Sequence, residues 1–243
     1  MINRQLVLCY FSLSLLFAPA NLHAQAFAYA GDRGPAFWDL LNPAWSTCHL
    51  GRQQSPVDLR GEPPARQWQL ATDYRMSGGE IFNNGHTIEV EVDGENRLRL
   101  GGTEYRLLQF HFHTASEHRI DGRGFDMEMH LVHQSAAGNL AVIGVFLQRG
   151  SSSAGLAPIF ANLPALDSPI GVKEELPEPF NPISFLPKSS DFYEYGGSLT
   201  TPPCTEGVRW IVMAEPLTIS DEDLAQFATR IPFNARFVQR VLD

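Results

Sequence analysis

Three histidines have the residue type and the spacing of a metal site. His111 and His113 flank Phe112 within a run of alternating apolar and polar residues, a pattern that predicts a strand. Side chains two positions apart on a strand share a face, so both imidazoles point the same way. His130 lies on the next strong strand pattern, and a neighbouring strand would bring it opposite the first pair. Three neutral imidazoles can bind zinc and leave one tetrahedral position for water, which makes a metal site the favoured hypothesis.

The same residues fit a second kind of metal site. The spacing from His111 and His113 to Glu117 also matches the metal motif of the cupin barrel, in which the glutamate would be a ligand. That motif needs a later Pro-x-Gly-x2-His-x3-Asn segment, and neither His130 nor His133 is preceded by it. A metallo-β-lactamase site would need Asp-His soon after the first histidine pair, and this chain has Glu117-His118 there instead. The spacing therefore leaves the cupin as the main alternative.

The elements that would position these residues are mostly strands. A Pro-rich stretch at 164–187 predicts an irregular loop that wraps around them, and no internal repeat or linker indicates a second domain. The predicted strands are 87–92, 97–100, 104–113, 125–133, 140–147 and 208–214, and the predicted helices are 153–163 and 220–229. The expected fold class is therefore β-dominated α+β, in one domain with few short helices.

The composition is that of an ordinary globular protein with an acidic balance. The chain has 243 residues, 44% of them hydrophobic and 19% charged, and a formal net charge of −9. Such a chain is long enough to bury a full core, and its composition excludes coiled coil and low-complexity disorder. It has no cluster of Lys and Arg, so a nucleic-acid partner is not expected.

The first 26 residues resemble a secretory signal. Arg4 precedes an apolar run at 6–17, and the small-residue pattern Ala24-Gln25-Ala26 follows. The apolar run is shorter than the roughly 20 residues that span a bilayer, so we expect no membrane association once the signal is removed. The predicted organisation is a signal peptide at 1–26 and a single domain at 27–243. We therefore expect an exported protein, either periplasmic or secreted.

Export also determines how the cysteines are interpreted. Cys9 would leave with the signal, and the mature chain would keep Cys48 and Cys204. An even pair in an oxidising compartment favours a disulfide over a metal site. A bond that closes so long a loop would contribute about 5 kcal/mol on the chain-entropy model.

Short motifs along nearly the whole mature chain resemble the α-class carbonic anhydrases, in the order in which that family carries them. Each motif is weak by itself, whereas the ordered set is specific, and Cys48 and Cys204 resemble the disulfide of the exported bacterial members. The motifs are Gln53-Gln54-Ser55-Pro56-Val57-Asp58, Asn83-Asn84-Gly85-His86, Gln109-Phe110-His111-Phe112-His113, Ser116-Glu117-His118, Glu128-Met129-His130-Leu131-Val132-His133, Ser198-Leu199-Thr200-Thr201-Pro202-Pro203, Gly207-Val208-Arg209-Trp210 and Asn234-Ala235-Arg236.

This resemblance implies a fold and a reaction. The fold would be built on one large, twisted, mainly antiparallel sheet. His111, His113 and His130 would bind Zn²⁺, and a zinc-bound hydroxide would hydrate carbon dioxide to bicarbonate and a proton. Thr200 would accept a hydrogen bond from the hydroxide and donate its own proton to Glu117, which orients the nucleophile. This role for Glu117 contradicts the cupin hypothesis.

The resemblance also assigns the surroundings of the metal. Gln109, Glu128 and the carbonyl of Asn234 would hold the zinc-binding imidazoles in the required tautomers, as outer partners usually do. Carbon dioxide is apolar, and its binding site would be correspondingly apolar. The residues assigned to substrate or product are Val132, Val142, Leu199, Thr200, Thr201 and Trp210.

One histidine would move protons. His86 occupies the family's shuttle position, and its ordinary pKa near neutrality suits that task. Tyr29 and Asn84 would order the connecting waters. His118 and His133 match no ligand position and are interpreted as structural.

Three positions depart from the family pattern. Phe112 stands where the family has tryptophan between the first two histidines, and it is still apolar. Ala115 stands where bacterial members have proline in His-Thr-Pro-Ser-Glu-His, and Phe237 stands where proline usually follows the arginine. The alternative to an enzyme is a catalytically silent relative that acts as a binding module. Because silent relatives lose ligand histidines and this chain keeps all three, the enzyme is favoured. The sequence does not determine the oligomeric state, and a homodimer is one candidate assembly.

Overall fold

The computed structural model describes residues 27–64 and 70–240, and the predicted signal at 1–26 lies outside them. The described part is built mainly from strands, with a few helical turns, as the predicted fold class requires. The strands are β1 (Asp58–Leu59), β2 (Ala71–Asp73), β3 (Gly79–Asn83), β4 (Ile88–Val92), β5 (Arg97–Leu100), β6 (Thr103–His113), β7 (Arg119–Ile120), β8 (Met127–Ser135), β9 (Leu140–Arg149), β10 (Glu174–Glu175), β11 (Phe192–Ser198), β12 (Glu206–Met213) and β13 (Leu217–Ile219).

Helical segments lie at the edges of this framework. The α-helices are α1 (Trp38–Leu41), α2 (Thr47–Leu50), α3 (Ala157–Phe160) and α4 (Asp221–Arg230), and the 3₁₀ turns are Gly31–Arg33, Pro35–Phe37, Pro43–Trp45 and Pro182–Phe185. None of the helices in the described ranges is long and apolar enough to cross a bilayer.

One large sheet organises the described residues. Eleven strands pair along the path β10-β3-β4-β6-β8-β9-β12-β11, with β5 and β2 added beside β6 and β13 beside β9. The pairs of β9 with β12 and β13 are parallel, and the other pairs of this sheet are antiparallel. The predicted large, mainly antiparallel sheet is therefore confirmed. A separate parallel pair joins β1 to β7.

The two faces of the central strands bury different chemistry. On β6, Phe110 and Phe112 point to the rear face, whereas the histidines between and after them point to the front, because strand side chains alternate. Phe110 and Phe112 are fully buried. They pack against aromatic rings of α3, α4 and the wrapping loop, namely Phe160, Phe227 and Phe185. This rear core fixes the strands whose front face carries the site.

The helix predictions have different outcomes. Helix α4 begins after Ser220, whose Oγ accepts a hydrogen bond from the N–H of Asp223, so the predicted helix and its N-cap are confirmed. The predicted helix at 153–163 is too long, since only α3 forms there. Pro158 is the reason: proline fits only the first turn of a helix, so the helix begins at Ala157.

The amino-terminal segment is attached to the sheet by a disulfide. Cys48 on α2 is bonded to Cys204 in the loop between β11 and β12, as predicted. Trp38 is fully buried beside this bond, and its indole N–H donates to the carbonyls of Ala28 and Arg33. The short helices therefore form a cap whose position depends on the loop that carries Thr200.

Candidate metal centre

The three predicted ligand histidines meet on the front face of the sheet. His111 on β6 lies directly opposite His130 on β8, and His113 shares the strand face of His111. One ring nitrogen of each imidazole lies within 4.8 Å of the others. The parity argument and the pairing of neighbouring strands together account for this convergence.

Each imidazole has its other nitrogen occupied by the protein. Nδ1 of His111 lies 2.8 Å from Oε1 of Gln109, and Nδ1 of His113 lies 2.7 Å from the carbonyl oxygen of Asn234. Nε2 of His130 lies 2.8 Å from Oε1 of Glu128. Since these oxygens accept, the N–H of each ring points outward. The nitrogens that face the centre are therefore Nε2 of His111, Nε2 of His113 and Nδ1 of His130.

The central nitrogens are suited to a cation. Nε2 of His113 is buried and has no hydrogen-bond partner among the described residues. Burial is the largest cause that lowers the pKa of His111 and His113, and the neighbouring imidazoles lower both further. Neutral imidazoles with inward lone pairs form the donor set that zinc prefers. The residues present therefore fit a metal ion of that type.

A second group of possible ligands has a different use. His118, Glu128 and His130 also lie close together. Glu128 is fully buried, and its Oε2 accepts from the backbone N–H groups of Glu117 and His118, at 2.9 and 2.8 Å. Its Oε1 lies 2.6 Å from Nδ1 of His118 and 2.8 Å from Nε2 of His130. The carboxylate is thus saturated by protein donors and serves to hold the imidazoles.

This network extends further than sequence analysis indicated. Nε2 of His118 lies 2.6 Å from the hydroxyl of Tyr195, and that hydroxyl lies 2.8 Å from Oγ of Ser55. Ser55 in turn accepts from the backbone N–H of Ser198. His118 is therefore structural in the sense predicted, with the added property that it connects the support of His130 to the strand that precedes the Thr200 loop.

Glu117 lies beside the ligand group without belonging to it. Its Oε1 accepts from the backbone N–H of Arg236 at 2.7 Å, while Oε2 is buried with no partner among the described residues. No hydrogen bond joins Thr200 to this carboxylate in the structure, although Thr200 is itself buried. Glu117 therefore keeps one free acceptor oxygen inside the site.

An apolar wall adjoins His130. Val142, Val208, Trp210 and other buried residues form one hydrophobic cluster, against which Val132 and Leu199 pack. The ring centroid of Trp210 lies 4.8 Å from that of His130. The structure thus brings together the four apolar residues that the resemblance assigns to substrate, next to one candidate ligand.

A cleft of about 190 Å³ leads from the histidines towards solvent. Its walls include Tyr29, Asn84, His86 and Thr201, which are the remaining predicted site residues, together with His111 and His113. His86 is half-buried and stacks on Phe27 with the ring centroids 3.7 Å apart. Burial, and to a lesser extent Arg33, lowers the pKa of His86.

Two further polar residues shape this cleft. Oδ1 of Asn84 accepts from the backbone N–H groups of His86 and Thr87, so Asn84 fixes the turn that presents the shuttle candidate. Burial raises the pKa of Tyr29 well above its ordinary value, with a further contribution from Glu117. Tyr29 is accordingly a neutral hydroxyl at neutral pH.

The fold and this arrangement have well-characterised relatives. The family model described as eukaryotic-type carbonic anhydrase matches residues 33–237. The chain belongs to this family. A carbonic anhydrase of Nostoc sp. is 39% identical over 235 residues, which cover 95% of this chain and 88% of that protein.

Solved structures agree with this membership. The α-carbonic anhydrase of Thermovibrio ammonificans, in complex with the inhibitor sulfanilamide, is 38% identical with a TM-score of 0.84, over 89% of this chain and 96% of that one. Dioscorin complexed with ascorbate is 30% identical with a TM-score of 0.83, over 89% and 94% of the two chains. The chain therefore belongs to an enzyme family, that of the carbonic anhydrases. This membership also shows that the cupin alternative is wrong, in agreement with the place of Glu117 outside the ligand group.

Proposed function

We propose that the protein is a zinc-dependent carbonic anhydrase that reversibly hydrates carbon dioxide to bicarbonate and a proton. One observation carries the proposal. His111, His113 and His130 turn three unprotonated nitrogens towards one point, and Gln109, Asn234 and Glu128 hold their opposite N–H groups. Zinc bound there would act as a Lewis acid that makes hydroxide available at neutral pH.

Thr200 and Glu117 would orient the attacking oxygen. The backbone N–H of Arg236 already donates to Oε1 of Glu117, whereas the buried Oε2 has no partner among the described residues, so Oε2 would accept the hydrogen bond from the Thr200 hydroxyl. A hydroxyl whose own proton is donated to a carboxylate can only accept from its other neighbour, so the Thr200 oxygen would accept a hydrogen bond from the O–H of the nucleophile. A lone pair of that nucleophile then points at the substrate, which is an orientational contribution to the rate.

Carbon dioxide would wait against the apolar wall. Val132, Val142, Leu199 and Trp210 offer no competing hydrogen bonds to water, so the apolar substrate displaces solvent there at little cost. The backbone N–H of Thr200 and the side chain of Thr201 would meet the oxygens of substrate and product. Trp210 has its own N–H bound by the carbonyl of Ser198, at 2.9 Å, so its ring is a fixed surface.

The proton would leave through the cleft. His86 can take it up and release it to solvent, because it lies half-exposed in the same cleft as His111 and His113. Burial shifts its pKa downward, which favours release. Tyr29 and Asn84 would supply hydroxyl and amide groups along the water chain between the metal centre and His86.

Export completes the proposal. Residues 1–26 would be a signal peptide, and the mature domain would begin at residue 27 and work in the periplasm or as a secreted protein. The disulfide between Cys48 and Cys204 supports an oxidising, non-cytosolic location. Carbon dioxide and bicarbonate would be its partners, with no nucleic acid or membrane required.

Stopped-flow hydration of carbon dioxide by the mature protein tests the activity. We expect zinc-dependent turnover in the wild type and loss of both zinc and turnover in His111→Ala. The exposed His49 provides a matched control, since His49→Ala should retain both. A folded, zinc-loaded wild type without turnover would contradict the proposal. It would favour instead a catalytically silent binding module.

A further inference from the structure

A second pocket is lined by Glu117, which does not line the cleft. Its volume is about 240 Å³, and most of its lining residues are apolar. Tyr29 contributes to the walls of both spaces, whereas His111 and His113 line only the cleft and none of the three candidate ligands lines the second pocket. For comparison, an engineered protein cavity of about 150 Å³ accommodates benzene. The second pocket is therefore large enough for a small aromatic molecule, and it is separate from the candidate metal centre.

Two of the three departures from the family pattern lie at this pocket. Ala115 and Phe237, which stand where the pattern has proline, both line it. A proline at 115 would add ring carbons to the wall, and alanine leaves that volume open. Phe237 is 55% exposed and Phe233 is 53% exposed, so two large apolar side chains stand at the same opening without full burial. Exposed aromatic side chains around a concavity are typical of a ligand-binding site.

The charges at the pocket favour an anion. Arg119 lines it, and its exposed guanidinium has no hydrogen bond or ion pair with any described residue. Arg236 also lines it, and its buried Nε is a donor without a partner in the same part of the chain. The carboxylate of Glu117 is a counter-charge for Arg236, but it is fully buried and already accepts a backbone N–H. Arg119 is thus left available for a carboxylate, which a guanidinium binds through two parallel hydrogen bonds.

From these observations we propose that the pocket binds a small aromatic monocarboxylate. The ring would pack between Phe233 and Phe237 over Ala115, and the carboxylate would pair with Arg119. The site would be independent of the metal, because none of its residues is a candidate ligand. A probe such as 4-fluorobenzoate, which has ten non-hydrogen atoms, should bind with a Kd on the order of 1 mM.

Fluorine NMR titration of 4-fluorobenzoate tests the site on the mature protein. We expect saturable binding that persists after the metal has been removed by a chelator and in the presence of excess sulfanilamide. Arg119→Gln should weaken it about tenfold, since a charge-assisted bidentate pair is lost. Ala115→Phe, which fills the pocket, should abolish it. Arg123→Gln is the matched control, because it removes the same charge from the neighbouring turn outside the pocket and should bind as the wild type does.

Three results would overturn the proposal. The first is no saturable binding up to about ten times the expected Kd. The second is binding that chelation or sulfanilamide abolishes, which would place the probe at the metal. The third is equal binding by Arg119→Gln and Arg123→Gln, with circular dichroism showing both variants folded. None of these readouts measures catalysis, so a failure of this proposal can be distinguished from a failure of the proposed function.

Discussion

Replacing Glu128 by glutamine keeps the shape of a fully buried side chain and changes only its hydrogen-bonding pattern. The backbone N–H groups of Glu117 and His118 cannot stop donating, so they retain the amide oxygen at the position of Oε2. The amide NH₂ group must then take the position of Oε1, where it faces Nδ1 of His118 and Nε2 of His130. Both rings can accept from it only by moving their own protons to the opposite nitrogens.

For His130 this change is in conflict with metal binding. The opposite nitrogen is Nδ1, which faces His111 and His113 and must be unprotonated to bind a cation. We therefore expect Glu128→Gln to lower zinc affinity by about 10- to 100-fold, the range seen when outer partners of metal-bound histidines are removed. In the Glu128→Gln apoprotein the hydrogen bonds at position 128 are remade and only the negative charge is lost. Its unfolding free energy should therefore fall by only about 1–3 kcal/mol.

Competition titration against a chelator measures the affinity, and urea denaturation of the apoprotein measures the stability. Nitrogen NMR of labelled histidines in the apoprotein would show the proton of His130 moved to Nδ1. Glu80→Gln is the control, since that half-exposed carboxylate on β3 lies only near Lys173, at 3.7 Å, and should leave zinc affinity unchanged. A Glu128→Gln variant that binds zinc like the wild type, or that keeps the proton of His130 on Nε2, would refute the tautomer argument.

Three further expectations concern stability and packing. Cys48→Ser with Cys204→Ser should lower the unfolding free energy by about 2–5 kcal/mol in urea titrations, because the bond closes a separation of 156 residues. Gly144→Ala would place a methyl group 3.0 Å from Oε1 of Glu128. The loss of zinc-binding free energy, measured in the chelator titration, should exceed the loss of unfolding free energy. Burial lowers the pKa of His133 to about 4. The unfolded chain then binds more protons between pH 4 and 6.5, so stability should rise by about 3 kcal/mol across that window, and His133→Phe should flatten the rise in denaturation curves.

Local pattern was sufficient to predict β4, β5, β6, β8, β9 and β12 and the face that the histidines share, whereas β3, β11 and the shorter strands were not predicted. His111 and His113 lie on one side of β6 because strand side chains alternate, and this alternation is visible in the sequence. Helix α4 was predictable from its capping serine. The length of α3 was not predicted because the apolar pattern at 153–163 was given more weight than Pro158, whose ring restricts where a helix can begin.

Contacts between residues that lie far apart in the chain could not be predicted from the sequence. Nothing local to His118 indicates that Tyr195, 77 residues later, supplies its hydroxyl partner, or that Ser55 continues the network. The register that sets His130 opposite His111 also depends on an irregularity between Leu107 and Gln109. Such contacts follow from the closed tertiary structure, and a single sequence carries no separate signal for them.

Different parts of the structure hold the metal ligands and the orienting pair, Thr200 and Glu117. His111 and His130 lie on central strands, whereas Thr200 lies on a loop and Glu117 follows the end of a strand. Gln54 and Arg236 connect those two segments: Gln54 donates to the carbonyl of Cys204 in the loop and accepts from the guanidinium of Arg236. The backbone N–H of Arg236 in turn holds Glu117. The disulfide and this buried arginine therefore position the orienting pair, whereas the metal ligands lie on the central strands of the sheet. Loss of the disulfide should consequently reduce turnover more than it reduces zinc affinity.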